Sequence, residues 1–279
     1  MGLPKFLSIY VIENNGMRLM IEVGEALKAR KIIKKLKDFG LYPIDKIVLT
    51  HSHWDHAQGL SKITSMMKDL DIEILASENA VENIKHPERM MEGFEGMGDV
   101  YPFEGVTPLK EGDIIDLNGL ELEVMNFYGH TMDSIALFDK TNKNIFVGDA
   151  ILNRLDKDAF FVPIMPPDFH EEELLKTFKR LRDMKDDLNS ISIAHFGIWK
   201  DNHFHQILNE MEELYFKAKN YLIEWYNEDP SIESITNKYY KTLIPNSKFW
   251  NEKLFLFLID MMINGLKLSG FIEAETISH

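Results

Sequence analysis

Residues 50 to 59 read Thr50-His51-Ser52-His53-Trp54-Asp55-His56-Ala57-Gln58-Gly59, which sets four groups able to hold a metal ion in the order His-x-His-x-Asp-His. Imidazole and carboxylate are costly to bury unless something satisfies them, and a cation does so directly. Several imidazoles with a carboxylate suit zinc, iron or manganese. Three further residues of the same kind stand where short apolar runs stop. They are His130 in Gly129-His130-Thr131, Asp149 in Val147-Gly148-Asp149 and His195 in Ala194-His195-Phe196-Gly197. Alone, an aspartate after glycine is more often a turn residue, and a single histidine more often a satisfied core residue. Together with His51, His53, Asp55 and His56 they exceed what one tetrahedral ion with an open position uses. They suit two ions that share one carboxylate.

The elements that must position these residues are legible in outline. Phe6 to Ile12 reads as a strand, Asn14-Asn15-Gly16 as a turn and Met17 to Val23 as the returning strand. Ala29, Ile32, Ile33, Leu36 and Phe39 recur at helical spacing, and Gly40 stops the helix. Ile44 to Leu49 is a short apolar strand that runs straight into Thr50-His51. Leu60, Ile63, Met67 and Leu70 mark the next helix, and Ile72 to Ala76 the next strand. The alternation predicts a layered α/β fold, with the first ligands at a strand's C-terminal end, where such folds place their chemistry. Leu109 to Leu117, Leu120 to Asn126, Ser134 to Asp139 and Ile145 to Val147 read as further strands. Glu171 to Met184 reads as a helix, and Ile191 to Ala194 as the last strand.

Beyond about Asp201 the pattern is helical, which divides the chain into a ligand-bearing domain over 1–200 and a helical extension over 201–279. Phe255 to Ile263 is apolar nearly all round, so that helix is expected to be buried on several sides. It is expected to wall the pocket and to form a homodimer contact through Phe255, Phe257 and Leu258. Ser77 to Tyr101, rich in methionine and glycine, reads equally as a flap over the site or as a packed surface insertion.

Composition narrows the function. The chain has 279 residues, a formal charge of −14 and no cysteine. The acidic balance argues against nucleic acid as a partner. Without thiolates, any metal must be held by nitrogen and oxygen. Met1 to Lys5 lacks the pattern of a signal peptide, and no apolar run reaches membrane-spanning length. A cytoplasmic protein with a small-molecule substrate and no membrane partner is expected.

The order of the ligand elements resembles the metallo-β-lactamase superfamily over residues 6 to 200. The resemblance implies a four-layer αββα sandwich carrying a C-terminal helical segment. It implies two divalent metal ions, zinc first, with iron or manganese as alternatives. One would be held by His51, His53 and His130, the other by Asp55, His56 and His195, with Asp149 shared. In this scheme a metal-bridging hydroxide attacks a carbonyl carbon, Asp55 orients it or takes up its proton, and Thr50, Thr131 and Ser134 support the ligands. The chain departs from the family at Glu22, where aspartate is usual, at Gln58, where glycine is common, and at Met132-Asp133, where proline and glycine are common.

His53 stands where the diiron reductases of the superfamily carry glutamate. Only about 45 residues separate Asp149 from His195, too few for the inserted domain of the nucleic-acid-processing branch. The remaining resemblance is to glyoxalase II-like hydrolases of thioesters, esters and lactones. Tyr128 and His170 are candidate substrate contacts, while His86, His203, His205 and His279 are expected to be solvated. Two other readings use the same ligands: a diiron redox enzyme, and a non-catalytic metal-stabilised binding protein.

Overall fold

The computed structural model describes residues 7–273 except 95, 155, 157, 196, 249 and 250; Phe6 and His279 lie outside the described residues. Five strands form a first sheet in chain order: β1 (Tyr10–Asn14), β2 (Met17–Ile21), β3 (Lys46–Val48), β4 (Glu73–Ser77) and β5 (Val106–Leu109). β1 and β2 form an antiparallel hairpin, and β2 through β5 run parallel. Asn15 and Gly16 both take positive φ, 48° and 82°, as a tight hairpin turn requires. The later strands are β6 (Ile114–Leu117), β7 (Leu120–Asn126), β8 (Ile135–Asp139), β9 (Asn144–Gly148), β10 (Asn153–Arg154), β11 (Phe160–Phe161), β12 (Ser190–Ile193) and β13 (Gly197–Lys200). β10 pairs with β11, and the other six form a second sheet in the order β13-β12-β9-β8-β7-β6. The helices are α1 (Ala29–Asp38), α2 (Trp54–Ala57), α3 (Leu60–Met66), α4 (Glu78–Lys85), α5 (Glu171–Asp183), α6 (Asp201–Glu228), α7 (Ile232–Leu243) and α8 (Glu252–Leu268).

Two-residue alternation sorts the strands into layers. Leu19 and Ile21 of β2, Val48 of β3 and Leu75 of β4 share one buried cluster with Leu122, Val124, Ile135, Leu137 and Phe146 of the second sheet. The alternate residues, Met20, Ile47, Ile74 and Ala76, are buried with Ile33 and Leu36 of α1 and Ile63 of α3. On the far side of the second sheet, Met125, Phe138, Ile145, Val147 and Ile191 pack with α5 to α8. The result is helix, sheet, sheet, helix, the αββα sandwich, with the C-terminal helices forming part of the outer layer. Each fully buried aliphatic or aromatic side chain in these clusters stabilises the fold by about 1.5–3 kcal/mol.

Three details differ from the sequence reading. Leu109 to Leu117 is two strands, because the chain turns at Lys110 to Asp113 and crosses from the first sheet to the second. Lys110 N–H donates to the Asp113 carboxylate at 2.7 Å, and Gly112 N–H to Val124 O at 2.9 Å. β13 follows the ligand His195 as a half-exposed edge strand antiparallel to β12. Phe255, expected at a dimer contact, is fully buried within the chain, its ring 5.2 Å from that of Phe161 and 6.4 Å from that of Tyr240. Leu254, Ile259, Met262 and Ile263 of α8 are likewise buried within the chain, while Phe257 is half-buried. Among the described residues, no helix is long and apolar enough to cross a membrane.

Candidate metal centre

All seven ligand candidates are buried and lie where the two sheets meet at one edge. His51 and His53 follow β3, and Asp55 and His56 lie in the short helix α2. The main chain ties this segment to the second sheet through Ile135 N–H, which donates to Thr50 O at 2.8 Å. β9 and β12 are parallel neighbours, with Ile193 opposite Gly148, so their C-terminal ends deliver Asp149 and His195 side by side. His130 comes from the β7–β8 connection, which rests on the first turn of α5 through His170 N–H donating to Gly129 O at 2.8 Å.

The side chains form two sets. His53 Nδ1 lies 3.1 Å from His51 Nε2 and 3.0 Å from His130 Nε2. Asp55 Oδ2 lies 3.7 Å from His56 Nε2 and 3.5 Å from His195 Nε2. Asp149 Oδ2 stands between the sets, 3.1 Å from His195 Nε2, 3.6 Å from His56 Nε2 and 3.7 Å from His130 Nε2. Asp149 Oδ1 and His56 Nε2 are buried without a hydrogen-bond partner among the described residues.

The backs of the rings show which nitrogens are free to bind. His130 Nδ1 is 3.0 Å from the carbonyl of Pro163, and His53 Nε2 is 3.0 Å from that of Pro166. A carbonyl only accepts, so those nitrogens carry the protons. Thr50 Oγ1 donates to Glu22 Oε1 at 2.5 Å and therefore accepts from His51 Nδ1 at 3.1 Å. Three lone pairs then converge at about hydrogen-bond distance with no proton between them. That arrangement is repulsive unless a cation sits at the centre, and it is the usual support pattern of metal-binding imidazoles. The donor set thus fits a metal ion on its own geometry.

Electrostatics agree with this assignment. Burial pushes His51, His53 and His130 below the ordinary histidine range, and neighbouring imidazoles reinforce the shift for His51 and His53. These rings present the neutral form that binds metal. Burial also acts on His56 and His195, but carboxylates outweigh it: Asp55, Glu22 and Asp149 hold His56 well above its usual range, and Asp149 and Asp55 raise His195. Asp149 is buried yet held well below the usual carboxylate range by His195 and His56. This half of the site attracts a cation, whether a proton or a metal ion.

The departures Glu22 and Asp133 turn out to hold the centre together. Glu22 accepts from Thr50 with one oxygen and lies 3.3 Å from His56 Nδ1 with the other. One carboxylate thereby orients a ligand of each set. Asp133 is 1% exposed and accepts from Ser52, from Thr131 at 2.6 Å and from Asn83 at 3.0 Å. Ser52 and Thr131 flank ligands, so Asp133 fastens the motif loop to the His130 loop. Thr131 and Ser134, expected to support ligands directly, instead bond each other at 2.7 Å within this network. Replacing Asp133 by alanine removes the acceptor of three hydrogen bonds, leaving Ser52 and Asn83 without it and Thr131 with Ser134 alone, and is expected to destabilise the protein by roughly 3 kcal/mol, read as a lower midpoint in urea unfolding. An unchanged midpoint would remove Asp133 from this role. Both residues are visible in the sequence as acidic groups in otherwise apolar or ligand-bearing stretches, but that signal does not say what they touch.

A pocket of ≈ 500 Å³, including its mouth, opens onto Asp55, Asp149 and His195. Neither Tyr128 nor His170, the candidate substrate contacts, is among its lining residues. His170 is exposed and caps α5, its Nδ1 accepting from Glu173 N–H at 3.4 Å. The Tyr128 hydroxyl accepts from Asn79 at 3.4 Å, beside α4. Its pKa is raised by burial and by Glu78 and Glu111. The methionine- and glycine-rich stretch does reach the site, since Phe94 lines the pocket with its ring 5.2 Å from that of His53. Gln58 braces that stretch, donating to Met97 O at 3.3 Å while accepting from Ala26 N–H at 3.1 Å.

The sequence model of the metallo-beta-lactamase superfamily matches residues 3–195, and the chain belongs to that superfamily. Its relatives lie in the glyoxalase II-like branch. A hydroxyacylglutathione hydrolase of Ruegeria pomeroyi is 27% identical over 111 residues, which is 40% of this chain and 35% of that protein. The match therefore spans about a third of that relative's length. The acyl-coenzyme A thioesterase MBLAC2 of Gallus gallus is 23% identical over 236 residues, 77% of this chain and 78% of that protein. A metallo-beta-lactamase family protein of Thermus thermophilus superposes with a TM-score of 0.61 at 18% identity, over 95% of this chain and 89% of that one. That likeness is one of fold.

Proposed function

We propose that this chain is a dinuclear-metal-dependent hydrolase of a small thioester, ester or lactone. The observation that carries the reading is the position of Asp149 Oδ2, within 3.1–3.7 Å of donors from both sets and at the wall of a pocket. When bound, a pair of divalent cations supplies Lewis acidity, lowering the pKa of water and polarising a carbonyl oxygen. The nitrogen and oxygen donors suit zinc first, and iron or manganese also. His51, His53 and His130 would hold one ion and Asp55, His56 and His195 the other, with Asp149 placed to be shared. Asp55 lines the pocket and orients the attacking water or accepts its proton. The names of the two relatives, both thioester hydrolases, favour a thioester.

The test is to measure metal per chain and to screen thioesters, lactones and aryl esters. Turnover of one class is expected, lost on chelation and restored by added metal. Bound iron with oxygen consumption and no hydrolysis would overturn the reading in favour of a redox enzyme. Chelation has a second readout. At free metal near 1,000 times Kd, binding stabilises the folded state by about 4 kcal/mol, so stripping is expected to lower the melting temperature by roughly 10 °C. A melting temperature indifferent to chelator would count against a resident metal.

A further inference from the structure

Beside the ligand cluster, the pocket has lining of a different kind. Trp54 of α2, Phe94 of the loop after the α4 region, Phe161 of β11, Met165, and Phe257 and Leu258 of α8 line it. Among the described residues, no lysine or arginine lines the pocket. Asn153 also lines it, 9% exposed, and its buried Oδ1 has no hydrogen-bond partner among the described residues.

These features select by chemistry. A carboxylate or phosphate pressed against this wall would lose its hydration with no side-chain cation among the described lining residues to replace it. An apolar chain there gains about 0.8 kcal/mol for each methylene removed from water. Asn153 Oδ1 accepts one N–H or O–H donor from the substrate and supplies no charge. The wall stands next to the reacting centre, since Phe94 lies against His53. Resting on the hydrolase reading above, we infer that the substrate carries an uncharged, apolar acyl group, seated between Phe94 and the Phe257–Leu258 face of α8, and that this face of α8 determines specificity. The helical extension then has a catalytic-pocket role that the ligand motifs do not announce.

The experiment uses metal-loaded full-length protein and thioesters of one neutral thiol, N-acetylcysteamine, with octanoyl, acetyl, lactoyl and succinyl groups. The expected order in kcat/KM puts octanoyl at least about tenfold above acetyl and lactoyl, and succinyl lowest. Leu258→Trp fills the wall and is expected to lower the octanoyl-to-acetyl ratio about tenfold. Calorimetric titration of wild-type protein with the free acids gives a measure that needs no variant to fold, and octanoate is expected to bind at least about tenfold tighter than acetate or succinate. Fastest turnover of succinyl or lactoyl substrate, an octanoyl-to-acetyl ratio that Leu258→Trp leaves unmoved, or octanoate binding no tighter than acetate overturns the acyl assignment while the hydrolase reading stands. No turnover of any of the four, or of the wider screen, overturns the hydrolase reading and this inference with it.

Discussion

Asp149→Asn is expected to lower turnover on the order of a thousandfold and to reduce bound metal from about two ions per chain to about one. The substitution keeps the size and shape of the side chain and removes its charge. Asp149 is 6% exposed, so solvent does not compensate for that loss. Among the seven candidates it is also the carboxylate with an oxygen near nitrogens of both sets, Oδ2 lying 3.1 Å from His195 Nε2 and 3.7 Å from His130 Nε2. Asp55 approaches His56 and His195, the second set alone. Without the shared anion, two cations at neighbouring positions repel each other across a buried site, and the half with fewer imidazoles loses its ion first. Elemental analysis and kcat/KM on the same preparation read both effects, and a thermal melt reports whether the fold persists. Two ions per chain with undiminished turnover would end the bridging assignment.

Gly129→Ala is expected to be the most damaging single methyl group that can be added to the loop carrying His130. A Cβ built there lies 2.3 Å from both the N and Cα atoms of Leu174, and φ is +127°, a conformation that side chains other than glycine's rarely adopt. The clash is with backbone in the first turn of α5, so no rotamer change relieves it. Either the loop and α5 separate, carrying His130 from its partners, or the chain unfolds. The expected cost exceeds about 4 kcal/mol, the range reserved for such mechanisms, and metal content and activity fall with it. Gly40→Ala serves as the control. Gly40 has φ +70° but open space around the added Cβ, so only backbone strain applies, about 1 kcal/mol. Urea unfolding distinguishes them, and equal midpoints for the two variants would contradict the close approach.

Gly129 also shows where sequence reading stops. Its place beside His130 is apparent from the sequence, yet the need for glycine comes from a helix more than 40 residues later. The same holds for His170. Its position in a loop between ligand elements suggests substrate contact, but loop position does not distinguish a side chain that faces the pocket from one that caps the following helix. Leu109 to Leu117 read as a single strand across Lys110-Glu111-Gly112-Asp113, turn residues at which the chain in fact changes sheets, and alternation records burial without recording which sheet does the burying.

By itself the sequence named the seven donor candidates and their order, His51, His53, Asp55, His56, His130, Asp149 and His195, each at a strand end or short turn that short-range patterns reveal. Periodicity likewise gave an alternating, layered α/β chain, because a two-residue period and a helical period are properties of contiguous residues; the αββα layer order came from the family resemblance. Only the tertiary structure decided which nitrogen of each ring faces inward, since that depends on the carbonyls of Pro163 and Pro166 and on Glu22 acting through Thr50. Only it gave Asp133 and Ser52 a common purpose, buried Phe255 inside the chain, and set Phe94 and Leu258 into one wall. Those outcomes come from packing between elements far apart in the chain, where the partner of a side chain is chosen by shape and distance in three dimensions and leaves no periodic trace along the sequence.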